Sequence, residues 1–211
     1  MANDDTVNAL GGLRPLQQPY GAVRNSLYQL TTSATLGLFV GEPVQLDASG
    51  RVAVYTTGGD LAKCIGSVVG FSDTDKAGLP SSLTSLTQAA YLIANRDAYV
   101  AVADDPDQLF VIQCESGSLV TQSSIGNTAR MLLRQSNAWT DTRGSIVTGS
   151  SWFELSGTDL AGDTGGTLQV VGIGDTVNAD GTINTTSANY VKAVVRIYHH
   201  QFRGDTTSTG I

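Results

Sequence analysis

The chain reads as an all-β protein, an antiparallel barrel or sandwich carrying an extended N-terminal arm. Three observations predict this. No window sustains a 3.6-residue apolar period over three helical turns. Gly is abundant at 24 residues and accompanied by frequent Thr, Ser and Val, a mixture suited to strands and turns. Short apolar runs bounded by Gly, Pro or Asp recur along the chain. The body reads either as one barrel or as two small β units, with any division near residues 115–125.

Residues 1–26 differ from the rest of the chain. The phrase GGLRPLQQPYGAVRN holds two of the five prolines and the Gly11-Gly12 pair, and it has no sustained period. Leu10, Leu13, Leu16, Tyr20 and Val23 are too many apolar side chains for a free linker. The segment therefore reads as an arm docking on its own body or on a neighbouring subunit, with a disordered terminus as the alternative. Leu10, Leu13, Arg14, Pro15, Leu16, Pro19, Tyr20 and Val23 are its candidate subunit or capsid contacts.

The body, residues 27–203, opens with Leu27–Leu30. Leu36–Val40 is a short apolar run ended by Gly41-Glu42-Pro43, and Val44–Leu46 alternates. Asp47-Ala48-Ser49-Gly50 is a tight turn leading into the partner strand Arg51–Tyr55. Lys63–Phe71 is another strand, whose Gly66 and Gly70 suggest bulges or close approach. Residues 72–88 form a polar excursion with room for a helical turn near Ser81–Leu86.

The stretch DAYVAVADDPDQLFVIQC, residues 97–114, contains two apolar runs separated by four residues. Tyr99, Ala101 and Ala103 share one face, with Val100 and Val102 on the other. Leu109 and Val111 oppose Phe110 and Ile112. The pair reads as a β-hairpin buried on both sides, at the centre of the sheet. Further strands are expected at Ile125–Leu133, Ser145–Leu155, Thr167–Ile173 and Tyr190–Tyr198, with a loose tail at 204–211. Val40-Gly41-Glu42-Pro43-Val44-Gln45-Leu46 echoes Ile125-Gly126-Asn127-Thr128-Ala129-Arg130-Met131-Leu132, the mark of a duplicated β unit.

A hydrophobic content of 41% is that of a globular chain. Charged residues are only 15%, below the usual quarter, which suits a protein packed against others and equally a low-charge β domain standing alone. The net charge of -7 and the scattered basic residues give no phosphate-binding footprint, so no nucleic-acid partner is expected. No apolar window is long enough to span a membrane as a helix, and the acidic N-terminus has no signal-peptide core. The expected site of synthesis is a cytoplasm. Cys64 and Cys114 read as buried small hydrophobes of a reducing compartment, with a single bridge between them as the alternative.

The acidic knot Asp104-Asp105-Pro106-Asp107 reads as a turn with solvated carboxylates. It lacks the alternating ligands, glycine hinge and distal Glu of a calcium loop. His199 and His200, adjacent on a strand, point to opposite faces and do not chelate one ion together. There is no nucleophile elbow, phosphate loop or dinucleotide fingerprint. A sugar-cleaving carboxylate pair would want more aromatic platforms than 7% aromatics supply. The residues therefore point to a non-enzyme without metal or cofactor.

The order of phrases carries a resemblance. LGLFVGEPVQLDASGRVAVYTTGGDLAKCIGSVVGF resembles the opening of small head proteins of tailed bacteriophages, with its G-[DE]-P-V-x-L phrase and its IGxVVGF strand. YVAVADDPDQLFVIQCESG is similar to their central hairpin. GSSWFELS, TLQVVGI and the terminal HHQFR are similar to their second half. The resemblance runs from about residue 9 to 203. It implies a capsid decoration, or cement, protein that binds the outside of the shell and holds neighbouring major capsid proteins together. The implied assembly is a homotrimer, the implied location is the exterior of the virion, and the family offers no catalytic residue. The competing readings are another phage component, such as a tail or head-fibre base, and a carbohydrate-binding β-sandwich with Trp139 or Trp152 as platform.

Overall fold

The computed structural model describes residues 11–16, 23–30, 37–56, 63–73, 91–92, 98–115, 120–134, 143–145, 149–161, 165–174 and 191–203. The polar excursion falls mostly outside them, as do the 204–211 tail and the contact candidates Leu10, Pro19 and Tyr20. The architecture is nearly all β and antiparallel, as expected.

The first half contributes β1 (Arg14–Pro15), β2 (Asn25–Gln29), β3 (Leu38–Phe39), β4 (Pro43–Leu46), β5 (Val52–Val54), β6 (Gly66–Asp73), β7 (Tyr91–Leu92) and β8 (Ala98–Ala103). The second contributes β9 (Leu109–Gln113), β10 (Thr128–Ala129), β11 (Met131–Leu133), β12 (Phe153–Leu155), β13 (Leu168–Ile173) and β14 (Lys192–Ile197). One five-stranded sheet runs β2-β8-β6-β4-β5 and another runs β1-β9-β14-β13-β10, while β11 pairs with β12 and β3 with β7.

The strands of the 97–114 stretch form, but they do not pair with each other. β8 lies between β2 and β6, and β9 lies between β1 and β14. The expected hairpin is instead a crossover from one sheet to the other. Apolarity on both faces marked each as a central strand; it did not mark them as mutual neighbours. The change of sheet falls at 104–108 rather than near 115–125.

The Asp47–Gly50 turn is as expected. The Asp47 carboxylate accepts the Ser49 and Arg51 amides at 2.8 and 2.9 Å. The expected Ser145–Leu155 strand is shorter. Residues 146–148 lie outside the described residues; among the described ones Ser150 and Ser151 make isolated bridges to Val40 and Gly144, and the ladder strand is Phe153–Leu155. The body begins at Asn25, so the boundary at 26 falls inside β2.

The two halves repeat one another. Gly41 N donates to Val68 O and Val68 N to Glu42 O, at 2.8 and 2.9 Å. Gly126 N donates to Val170 O and Val170 N to Asn127 O, both at 2.9 Å. The two glycines have φ of 83° and 95°. β6 shifts register against β8 between Val68 and Gly70, and β13 shifts against β14 between Val170 and Gly172. These matching bulges add twist, which helps a sheet curl. In the first half a parallel bridge from Leu30 to Val52 joins the two ends of one sheet; in the second the equivalent bridge from Cys114 to Leu155 joins the end of β9 to the β11–β12 pair, which continues the chain from β10. Two small barrels result, β2-β8-β6-β4-β5 and β9-β14-β13-β10/β11-β12. The echo between 40–46 and 125–132 falls on this repeated geometry, with Gly41 matching Gly126 and Glu42 matching Asn127 in their backbone bonds.

One hydrophobic cluster fills the first barrel, around Leu38, Val44, Val68, Val100 and Val102. A larger one fills the second, around Phe110, Phe153, Leu155, Leu168 and Val195, and also takes in Leu13, Tyr55, Cys64 and Ala103 from the first half. A buried ion pair crosses the boundary. Arg143 Nε meets Glu42 Oε1 at 2.5 Å, with side-chain exposures of 8% and 0%. The other Glu42 oxygen accepts the Phe39 amide at 2.9 Å, and Arg143 donates to the Tyr55 carbonyl at 2.9 Å. The Arg143 guanidinium also lies 5.2 Å from the Phe153 ring centroid.

Removing one member of such a pair leaves a buried charge without its counter-charge. Arg143→Ala is expected to cost about 3–5 kcal/mol, read as a lower denaturation midpoint, and the double change Glu42→Leu with Arg143→Met to recover most of it.

Candidate docking surface

The arm candidates are built from the backbone outward. Gly12 has φ of 64° and Gly41 of 83°, and they sit against each other. A Cβ on Gly12 would lie 2.1 Å from the Gly41 carbonyl oxygen, and one on Gly41 would lie 2.0 Å from the Gly11 oxygen. Only glycine allows this approach. It brings Leu13 N to Gly41 O at 2.7 Å, and Ser67 Oγ donates to Leu13 O at 2.5 Å. Arg14 and Pro15 then pair with Val111 and Phe110. Leu16 N donates to Leu109 O at 2.8 Å, and Gln108 Nε2 donates to Leu16 O at 2.7 Å.

Leu13 is therefore corrected from a contact candidate to a core residue, fully buried in its own chain. The proximity of Gly12 to Gly41 dictates this, and the sequence of the arm alone does not show it. Arg14 reaches Ser150 Oγ at 2.9 Å across the outside of the fold. Val23 is partly buried against the larger core. Leu16 remains available, with 39% of its surface exposed.

The acidic knot turns the chain as expected, since Gln108 N donates to Asp105 O at 3.0 Å and Asp107 N to Asp105 Oδ1 at 2.9 Å. Its carboxylates are not all solvated, which corrects the sequence reading. Asp104 is 2% exposed and accepts the Tyr28 hydroxyl at 2.5 Å, while Arg24 lies 3.9 Å from its other oxygen. Burial and then the Asp104 carboxylate push the Tyr28 hydroxyl up to about 12, so it keeps its proton and donates. Asp107 makes an ion pair with Arg203. Phe202 beside it is 48% exposed. One end of the molecule thus gathers Leu16, Phe202, Arg24, the Asp107–Arg203 pair and the exposed side of the knot.

The C-terminal hook that carries Phe202 is held by the first barrel. Cys64 N donates to His199 O and Gln201 N to Cys64 O, both at 3.1 Å, and Leu46 N donates to Gln201 Oε1 at 2.7 Å. Within the hook His200 Nδ1 accepts the Phe202 amide at 3.1 Å, which requires an unprotonated Nδ1. Burial lowers the pKa of His200 from its ordinary value of 6.5, against smaller opposing pulls, first from the Ile65 backbone and then from Asp104.

Cys64 and Cys114 are free and buried, and burial pushes both thiols up to about 12, the state of inert packing groups. Among the described residues no three His, Cys, Asp or Glu side chains converge as metal ligands. Trp152 is half-buried, and Trp139 lies outside the described residues. The end of the molecule at the acidic knot presents the exposed apolar side chains of Leu16 and Phe202 together with the Arg24–Asp104 and Asp107–Arg203 ion pairs.

Two outcomes are expected. Gly12→Ala places a methyl into backbone and demands a strained φ, so it should cost about 2 kcal/mol or more of stability, read as a lower denaturation midpoint. The depressed His200 pKa makes the fold favour the neutral ring. Its contribution is present above pH 6.5 and is lost as pH falls below that value, where the unfolded chain takes up the proton first. A melting series from about pH 7.5 to about pH 5 should show this loss, and His200→Gln should flatten that part of the curve. The chain matches no protein-family model, and no curated protein matches it.

Proposed function

We propose that this protein is a structural component of a bacteriophage virion, a decoration protein that binds the outside of the major capsid shell. The ordered run of phrases from G-E-P-V-Q-L to HHQFR supports this reading by resemblance. The feature of the structure that supports it is the end at the acidic knot, where Leu16 and Phe202 are exposed and the Arg24–Asp104 and Asp107–Arg203 pairs supply charge. Interfaces favour this pattern of apolar anchors in a polar rim.

The mechanical role follows from mass action. A protein that binds only the expanded shell stabilises that state by its binding free energy. Many identical weak contacts repeated over a shell add through multivalency. A homotrimer would suit three-fold positions of an icosahedral shell, and the proposed location is the virion exterior after synthesis in the host cytoplasm.

The experiment is light scattering of the purified protein, followed by sedimentation with undecorated mature heads. Co-sedimentation at a fixed ratio to the major capsid protein is expected. The paired change Leu16→Asp with Phe202→Asp should abolish it while leaving the melting temperature within a few degrees. Deleting residues 1–26 is not a clean test, because it removes Leu13 from the core and β1 from its sheet. A protein that stays in the supernatant would sink the reading.

A further inference from the structure

The duplication exposes a difference between the barrels. Matching the bridges and the registers makes β2 the counterpart of β9. Ser26 pairs with Val102 as Phe110 pairs with Val195, and Tyr28 pairs with Val100 as Ile112 pairs with Ala193. Ser26 and Leu27 therefore stand where Phe110 and Val111 stand in the second barrel. Phe110 and Val111 are covered on their outer edge by Pro15 and Arg14 of β1. Among the described residues β2 is the edge of its sheet, and Leu27 is 48% exposed where Val111 is half-buried.

We propose that the β2 edge, Asn25–Gln29, is a docking site for an extended segment of a second polypeptide, which adds antiparallel to β2 as β1 adds to β9. The backbone points the same way in both places. The Leu109 carbonyl turns outward to accept Leu16 N, and residues two apart on a strand share that direction. Asn25, the counterpart of Leu109, and Leu27, the counterpart of Val111, thus present their peptide groups to the open side. β2 carries no Lys, no Pro and no bulge, the devices that ordinarily protect an exposed edge.

β1 also reports the chemistry of the occupant. The strand that fits the equivalent edge is Leu13-Arg14-Pro15-Leu16, a basic residue and a proline between leucines. Proline is tolerated there because an added strand is itself an edge. The Arg side chain lies on the outer face, on the side where Leu27 stands exposed. A chain of net charge -7 favours a basic rather than an acidic segment. Main-chain pairing would supply affinity, and an apolar contact with Leu27 would supply selectivity.

The probe is the synthetic peptide Asn8–Gln18 of this sequence, acetylated and amidated, added to the intact protein while amide hydrogen exchange is followed. Protection at Leu27 is expected to rise by about tenfold or more at saturation. Leu27→Lys, which keeps the backbone but places a cation opposite the basic segment, should weaken peptide binding by about tenfold with an unchanged melting temperature. A Leu27 amide already protected without peptide would show that the chain covers its own edge, and would overturn the proposal. So would protection confined to Val111, which means displacement of β1, or no change at either strand.

Discussion

The buried pair between Glu42 and Arg143 sets the relation of the two barrels. Its carboxylate closes the turn that starts β4, through the Phe39 amide, and its guanidinium reaches the end of β5, through the Tyr55 carbonyl. Tyr55 in turn meets Thr167 at 2.7 Å and packs edge-on to Phe153, 6.2 Å between ring centroids. The charge of one side chain is thus matched by groups from both halves. Such a pair contributes less net stability than its distance suggests, because both ions lose water. What it strongly opposes is any arrangement of the barrels that separates the partners.

The duplicated halves solve the same local problem with different side chains. At the position of Glu42 the second barrel has Asn127, whose amide donates to the Leu160 carbonyl at 2.6 Å. The backbone bonds around the two residues are equivalent, while the side chains diverge: one spans the boundary with charge, the other pins a neighbouring turn. Cys114 at the position of Leu30 is a similar case, since both are buried at the closing bridge. Barrel geometry depends on the bulges and the positive-φ glycines, and side-chain identity is free to vary around them.

This explains what the sequence made legible. The strand content followed from alternation and turn residues, which act locally. The Gly70 bulge was readable because a glycine inside a strand pattern is rarely incidental. The pairing of β8 with β2 and β6 was not readable, since a run that is apolar on both faces says it has neighbours without naming them. Asp104 looked like its solvated neighbours because nothing local reveals Tyr28, 76 residues earlier in the chain, bonding to it. For Leu13 the arm reading found the adhesive segment but not its destination, which depends on a fit between two glycines far apart in sequence. At the contact end Leu16 was legible; Phe202 was not, because its place is set by the hook on Cys64.

The arm strand has a consequence for the order of synthesis. β1 belongs to the second barrel, yet it leaves the ribosome before any part of the first. Every residue of the first barrel, and then β9, must be made before Arg14 and Pro15 find their partners. Meanwhile Leu13 has its amide bonded to Gly41 but lacks most of the apolar neighbours that cover it in the finished core. During translation the first barrel can close while the beginning of the chain waits. The last long strand, β14, fills the middle of a sheet whose one margin, β1, was the first strand translated. A nascent chain stalled in its second half would therefore expose both an unfinished sheet and the leucines meant to line it, the kind of surface on which chaperones act.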